Sequence, residues 1–248
     1  MARYSPPSTV HISFGPGPVT PAVKALIWAN VVMFVAAFFA PSITVYLGLW
    51  PAAVVQRLAV WQPLTYMFLH GGFFHILFNM LMLWMFGVEL ERLWGTRFFL
   101  KFYFVSGLGA AATTLLWAVL PLPFADTMYD SLTIGASGAI YGLLMAYALT
   151  YPDRPIYMYL LFPIQVKYFV LIMGAIAFLS SISAGGGGIA HTAHLGGLAT
   201  GYLYLQSRRG GPLTQVRYHL ARWRMNRARR KFGVYSGGQR NDWERRIH

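Results

Sequence analysis

Residues 70–90 read HGGFFHILFNMLMLWMFGVEL. From Phe73 to Leu90 the run is apolar, and at about 1.5 Å per helical residue it approaches the roughly 30 Å hydrocarbon core of a bilayer. His75 and Asn79 interrupt it. They stand at i and i+4, on one helical face. Polar or ionisable groups inside a span are costly, face the bundle interior and mark function. The stretch therefore reads as a transmembrane helix with a polar site in its first turns.

Five more segments share this character: residues 22–40, stopped by Pro41; 98–120, ended by Pro121 and Pro123; 137–151, ended by Pro152; about 166–182; and about 190–205. The first reads as a permanent helix and not a signal peptide, because no basic region directly precedes it and its apolar run is too long. Apolar residues make up 56% of the 248 and charged ones 11%, against about 25% charged in a soluble domain. The absence of cysteine excludes a disulfide scaffold, a thiolate zinc site and a cysteine nucleophile.

Charge divides the chain. Of the net +13, ten units belong to residues 207–248, and residues 1–206 are nearly uncharged. The expected organisation is a disordered N-terminus over residues 1–21, a helical membrane body over 22–206 and a basic tail over 207–248. Residues 217–232, RYHLARWRMNRARRKF, mix Arg with Leu, Trp, Met and Phe, which suits anionic lipid. Nucleic acid is not expected for a tail tethered to a membrane.

Positive residues in short loops set orientation. Arg92, Arg97 and Lys101 lie between spans two and three, Arg154 and Lys167 between four and five, and the tail follows span six. The opposite connections lack them, Arg57 excepted. Both termini are therefore expected in the cytoplasm. The connection of residues 41–70 is long for a bundle and carries Leu49, Trp50, Leu58, Val60 and Trp61, a composition for the outer membrane interface.

Three polar clusters then fall near the outer helix ends: His70, His75 and Asn79; Ser137 in GASGAIYG (135–142); and His191 and His194 in HTAHLGGLATG (191–201). Gly138 with Gly142, and Gly197 with Gly201, form two GxxxG pairs that let helices approach closely. Acyl transfer needs this kind of set. A serine needs an adjacent base, most often histidine, and the oxyanion needs donors such as Asn, His or a helix-start N–H. No carboxylate lies at that depth, so a protease here uses a Ser–His dyad.

HGGFFHILFN, GASGAIYG and the HxxGxxxG run at 194–201, with Glu91, Trp94 and Gly95 after span two, resemble the rhomboid intramembrane serine proteases over roughly residues 22–206. The resemblance implies an all-α membrane fold, a six-transmembrane-helix rhomboid bundle, with residues 41–70 as the interfacial L1 loop. It implies Ser137 as nucleophile and His194 as general base. The oxyanion hole would be His75, Asn79 and the Ser137 N–H, with Gly135 shaping the turn and Tyr141 packing on the imidazole. Gln62 after Trp61 departs from the Trp–Arg pair of many relatives and bears on loop anchoring. Implied partners are single-span or multi-span membrane-protein substrates cut near the outer face, at helix-weakening residues. No cofactor or metal is implied, and the setting would be a bacterial inner membrane.

Other classes fit less well. A silent rhomboid-like protein that only binds transmembrane helices would lack the Ser or the His. A transporter would show charged residues at mid-span or paired broken helices. A metalloprotease needs an HExxH-type site, and Lys101 and Lys167 sit at the wrong ends for a Ser–Lys dyad. His191 is read as supporting His194 or a water, and His70 has no assigned role.

Overall fold

The computed structural model describes residues 15–121, 125–158, 162–182 and 188–208, together with residues 222, 223, 225 and 227. The chain divides into a body, residues 1–205, and a second unit, residues 206–248. The body is mostly helical. Helix α1 spans Pro21–Phe39, and short helices α2 (Ser42–Leu47), α3 (Pro51–Arg57) and α4 (Gln62–Thr65) lead into a 3-10 turn at Tyr66–Phe68. Then come α5 (Phe73–Trp94), α6 (Thr96–Val119), α7 (Ala125–Tyr129) and α8 (Ser137–Thr150). A hairpin of β1 (Pro155–Met158) and β2 (Phe162–Gln165) precedes α9 (Val166–Ile182) and α10 (Gly188–Arg208).

Helices stand at all six positions expected from the sequence. Of these, α1, α5 and α6 are long and apolar enough to cross a membrane, whereas α8 and residues 166–181 are shorter apolar helices. Helix α8 forms the centre. Gly138 through Leu144 are all buried, and a helix apolar all round belongs in a core. At the periphery, α1 exposes Trp28, Val32, Val35, Phe38 and Phe39, and α9 exposes Leu171, Ile172, Ile176, Phe178 and Leu179. Faces of that size suit lipid and not water.

One carboxylate joins three helices at the end away from Ser137. Glu91, 3% exposed, accepts the Ala22 and Val23 N–H groups, each at 3.0 Å. It also accepts the Thr20 hydroxyl and, at 2.7 Å, the Thr96 hydroxyl. The first N–H groups of a helix lack intrahelical partners and carry its positive dipole end, so Glu91 of α5 acts as the N-terminal cap of α1. Arg92 beside it donates to the carbonyls of Pro16 and Pro18. Among residues 15–20, Thr20 is thus tied to Glu91 and the Pro16 and Pro18 carbonyls to Arg92.

Residues 41–70 are also more ordered than a loop. Gln62, 3% exposed, accepts Trp50 N–H at 3.0 Å and donates to the Tyr46 carbonyl at 3.3 Å. Trp61 Nε1 donates to that carbonyl at 2.9 Å. A neutral amide therefore does the anchoring on which the Trp–Gln departure bore. Arg57, the exception to the charge pattern, lies 5.4 Å over the Trp50 ring, where a cation is favoured.

The mostly helical body also carries one short two-stranded hairpin. Pro152 and Pro155 prevent α8 from continuing, and the chain pairs Pro155 with Gln165 through Met158 with Phe162 in an antiparallel hairpin. Arg154 reaches back to Glu89 of α5, which also accepts the Tyr147 hydroxyl at 3.0 Å. Residues 1–14 lie outside the described residues, as does the lipid-binding reading of 217–232 except at 222, 223, 225 and 227.

Replacing the Glu91 carboxylate strands two buried α1 donors. Glu91→Ala is expected to lower the unfolding free energy by about 3 kcal/mol, read by thermal unfolding in detergent. Glu91→Gln, which keeps one acceptor oxygen, should lower it by less.

Candidate active site

The turn before α8 is held from three sides. Leu49 and Thr133 exchange backbone bonds at 2.9 and 2.8 Å. Gly135 N–H donates to the Tyr66 carbonyl at 2.9 Å, and the Tyr66 hydroxyl donates to the Gly107 carbonyl of α6 at 2.8 Å. Gly135 has φ +126°, and a Cβ there would come 2.9 Å from His75 Nε2. Only glycine satisfies both conditions. Two residues on, Ser137 opens α8, where its own N–H has no partner within the helix.

Helix α10 brings His194. Ser137 Oγ and His194 Nε2 are 2.8 Å apart. The Tyr141 ring, one turn beyond Ser137, stacks on the His194 imidazole with centroids 4.2 Å apart and planes within 4°, which fixes the ring's rotation. The approach depends on missing side chains. A Cβ on Gly197 would overlap the Gly138 carbonyl oxygen, and one on Gly201 would lie 2.9 Å from Gly142 Cα. The two GxxxG pairs therefore face each other, backbone against backbone.

His75 sits beside the turn. Its Nδ1 accepts Gly71 N–H at 3.3 Å, which places the ring proton on Nε2, the nitrogen nearest Gly135. The Asn79 amide instead donates to the His75 carbonyl at 2.7 Å. It is turned onto its own helix, and one of its two N–H bonds is used there. His191 lies edge-on to His194, centroids 5.5 Å apart. His70, 6% exposed, is edge-on to His75 at 5.0 Å, and burial pushes its imidazole down to about 3.

The arrangement can hold a polarised hydroxyl against an imidazole, with N–H donors beside it. Among the described residues no group of three or more potential ligands is placed to hold a metal ion. Sequence reasoning missed Tyr66. A tyrosine within an apolar stretch carries no motif, and both its bonds here are long-range. It likewise missed the Leu49–Thr133 bridge, which backbone atoms alone make.

The profile of the Rhomboid domain family matches residues 57–208 of the chain. Rhomboid protease AarA of Providencia stuartii is 30% identical over 58% of the chain and 54% of its own length. Rhomboid protease GluP of Bacillus subtilis is 32% identical over 57% of the chain and 25% of its own length. RHOMBOID-like protein 5 of Arabidopsis thaliana is 33% identical over 40% of the chain and 30% of its own length. The chain thus spans about half or less of these relatives.

Two stability outcomes follow from this geometry. Gly197→Ala should destabilise by roughly 1–3 kcal/mol through overpacking, whereas Gly174→Ala, whose Cβ would meet only Leu198 at an ordinary 3.4 Å, should be neutral or slightly stabilising. His70 is held neutral when folded and takes a proton near pH 6.5 when unfolded. Its contribution is therefore present above pH 6.5 and lost as pH falls toward 3. His70→Gln should flatten that acid-side loss by up to about 1.4 kcal/mol per pH unit, read from melts at stepped pH.

Proposed function

The chain belongs to the rhomboid family, whose named members include proteases, and on that premise we propose that it is an intramembrane serine endopeptidase. The observation that carries the reading is the 2.8 Å contact of Ser137 Oγ with His194 Nε2, the imidazole clamped by Tyr141. Ser137 is the nucleophile and His194 the general base.

His194 Nε2 takes the hydroxyl proton as Ser137 Oγ attacks a peptide carbonyl carbon. The developing oxyanion is met by the Ser137 N–H and the His75 Nε2–H, and by the Asn79 N–H left over from its helix bond. In a low-dielectric site such fixed donors are worth far more than in water. His194 then hands the proton to the leaving amine, and a water hydrolyses the acyl ester with His194 again as base. The substrate is a membrane protein whose transmembrane segment unwinds near the cut, because an intact helix keeps its carbonyls hydrogen-bonded.

The setting belongs to the same proposal. Helices α1, α5, α6, α8, α9 and α10 form a six-helix membrane bundle with both termini in the cytoplasm, and Ser137 opens α8 near the outer face. Residues 41–70 form an L1 loop in that interface. Residues 22–206 are the protease domain, the tail of 207–248 rests on anionic lipid, and the membrane is a bacterial inner membrane. The Lys and Arg side chains of the described body support this orientation, because apart from Arg57 they lie at the helix ends away from Ser137.

Purified protein in liposomes with a single-span reporter tests the reading. Ser137→Ala and His194→Ala should each lower cleavage by roughly 10³-fold or more, and each should lose labelling by a fluorophosphonate probe while still giving a cooperative melting transition. Cleavage by a folded Ser137→Ala protein would overturn the nucleophile, and undiminished labelling of His194→Ala would overturn the base.

A further inference from the structure

Helix α1 carries a single cation, Lys24, and turns it away from the bundle. Val23, Leu26 and Asn30 form the buried face of the helix. Lys24 and Trp28 stand one turn apart on the opposite, exposed face. With Val19 and Ile27 they line a surface cavity of about 390 Å³, which is within the size range of small-molecule sites. Further along α1 the same face continues through Val32, Val35 and Phe39, all exposed. A cation, an indole and an apolar stripe therefore follow one another along one side of the helix.

The cation is unmatched. Among the described residues the Lys24 ammonium makes no ion pair and no hydrogen bond. Helix α1 contains no acidic residue. Glu91, the carboxylate that caps this helix, already accepts from Thr20, Ala22, Val23 and Thr96. The Trp28 indole, 60% exposed, also has no acceptor for its N–H among the described residues. Indoles settle at the level of lipid headgroups, and lysine near that level attracts anionic ones. From Trp28 to Phe39 the helix rises roughly 16 Å, close to the hydrocarbon thickness of one leaflet. A soluble anion would match Lys24 and leave the stripe uncovered. A second copy of this face would bring another lysine and no acid.

We propose that this face of α1 binds one anionic phospholipid of the adjoining leaflet. The phosphate accepts from the Lys24 ammonium, and an ester carbonyl accepts from the Trp28 indole N–H. One acyl chain lies along Val32, Val35 and Phe39. Lys24 directly follows Ala22 and Val23, so the lipid holds α1 from outside at the turn that Glu91 holds from within. The proposal involves no residue of 207–248 and rests only on the reading of α1 as a membrane helix.

The test follows the fluorescence of the full-length protein in phosphatidylcholine bilayers. These contain a small fraction of phosphatidylglycerol brominated on its acyl chains, which quenches adjacent indoles. Subtracting the signal of Trp28→Phe isolates Trp28, with Trp28→Tyr in its place if the Phe variant lacks a cooperative melt. Brominated phosphatidylglycerol should quench Trp28 with an apparent affinity about fivefold higher than equally brominated phosphatidylcholine. Lys24→Gln should abolish that preference, and Lys24→Ala replaces it if the Gln variant does not fold. Lys101→Gln removes a cation on α6 that does not line the cavity, and it should keep the preference. Equal quenching by the two lipids in wild type overturns the proposal, as does a preference that survives Lys24→Gln or disappears in Lys101→Gln. Protection of Trp28 from both lipids also overturns it and points to a protein occupant. The readout does not involve cleavage, so its failure leaves the Ser137–His194 reading untouched.

Discussion

The body of the protein is organised by one contact in which two helices meet with nothing between their backbones. At Gly197 against Gly138, and again at Gly201 against Gly142, α10 and α8 approach so closely that no Cβ fits. A serine side chain has a single heavy atom beyond Cβ, so it reaches an imidazole on another helix only if the two axes are unusually near. Without the driving force that water gives to apolar association, helices in lipid gain from such packing and from the hydrogen bonds it permits. The Ser137–His194 bond is both a product of that approach and its lock.

The other side of α8 repeats the device with slightly larger residues. A Cβ on Gly138 would meet Ala110 and the Tyr66 hydroxyl, and one on Gly142 would meet Ser106. Helix α8 is therefore wedged between α6 and α10 by small residues on both faces. Its burial from Gly138 to Leu144 and its shortness follow from the same cause, since a helix surrounded by protein does not need the length that lipid demands.

Much of this was legible in the sequence, for identifiable reasons. The helices begin and end where proline and apolar runs place them, because in lipid every backbone group must be satisfied internally and few alternatives remain. Ser137, His194 and the glycine pairs were legible because each violates what lipid prefers or sits at a fixed helical offset, whereas Tyr141 was implied by the family resemblance. Contacts made by backbone atoms or by partners distant in sequence were not. The Glu91 cap joins residues about 70 apart, and Arg92 binds proline carbonyls that carry no side-chain signal. The hairpin at 155–165 was hidden by its length, too short for periodicity to speak. Asn79 matched its motif and yet turns to its own helix, because a motif records residue type and not rotamer.

Tyr66 links the segment between α1 and α5 to the interior in a way that has a metric meaning. Its carbonyl holds Gly135 in the turn before the serine, and its hydroxyl holds Gly107 within α6. The residue is a strut, with its backbone carbonyl tied to the turn before Ser137 and its hydroxyl tied to α6. The position of Ser137 along the bundle is therefore gauged against α6 by a single residue, and the segment between α1 and α5 that carries Tyr66 is the part of the protein against which that position is measured.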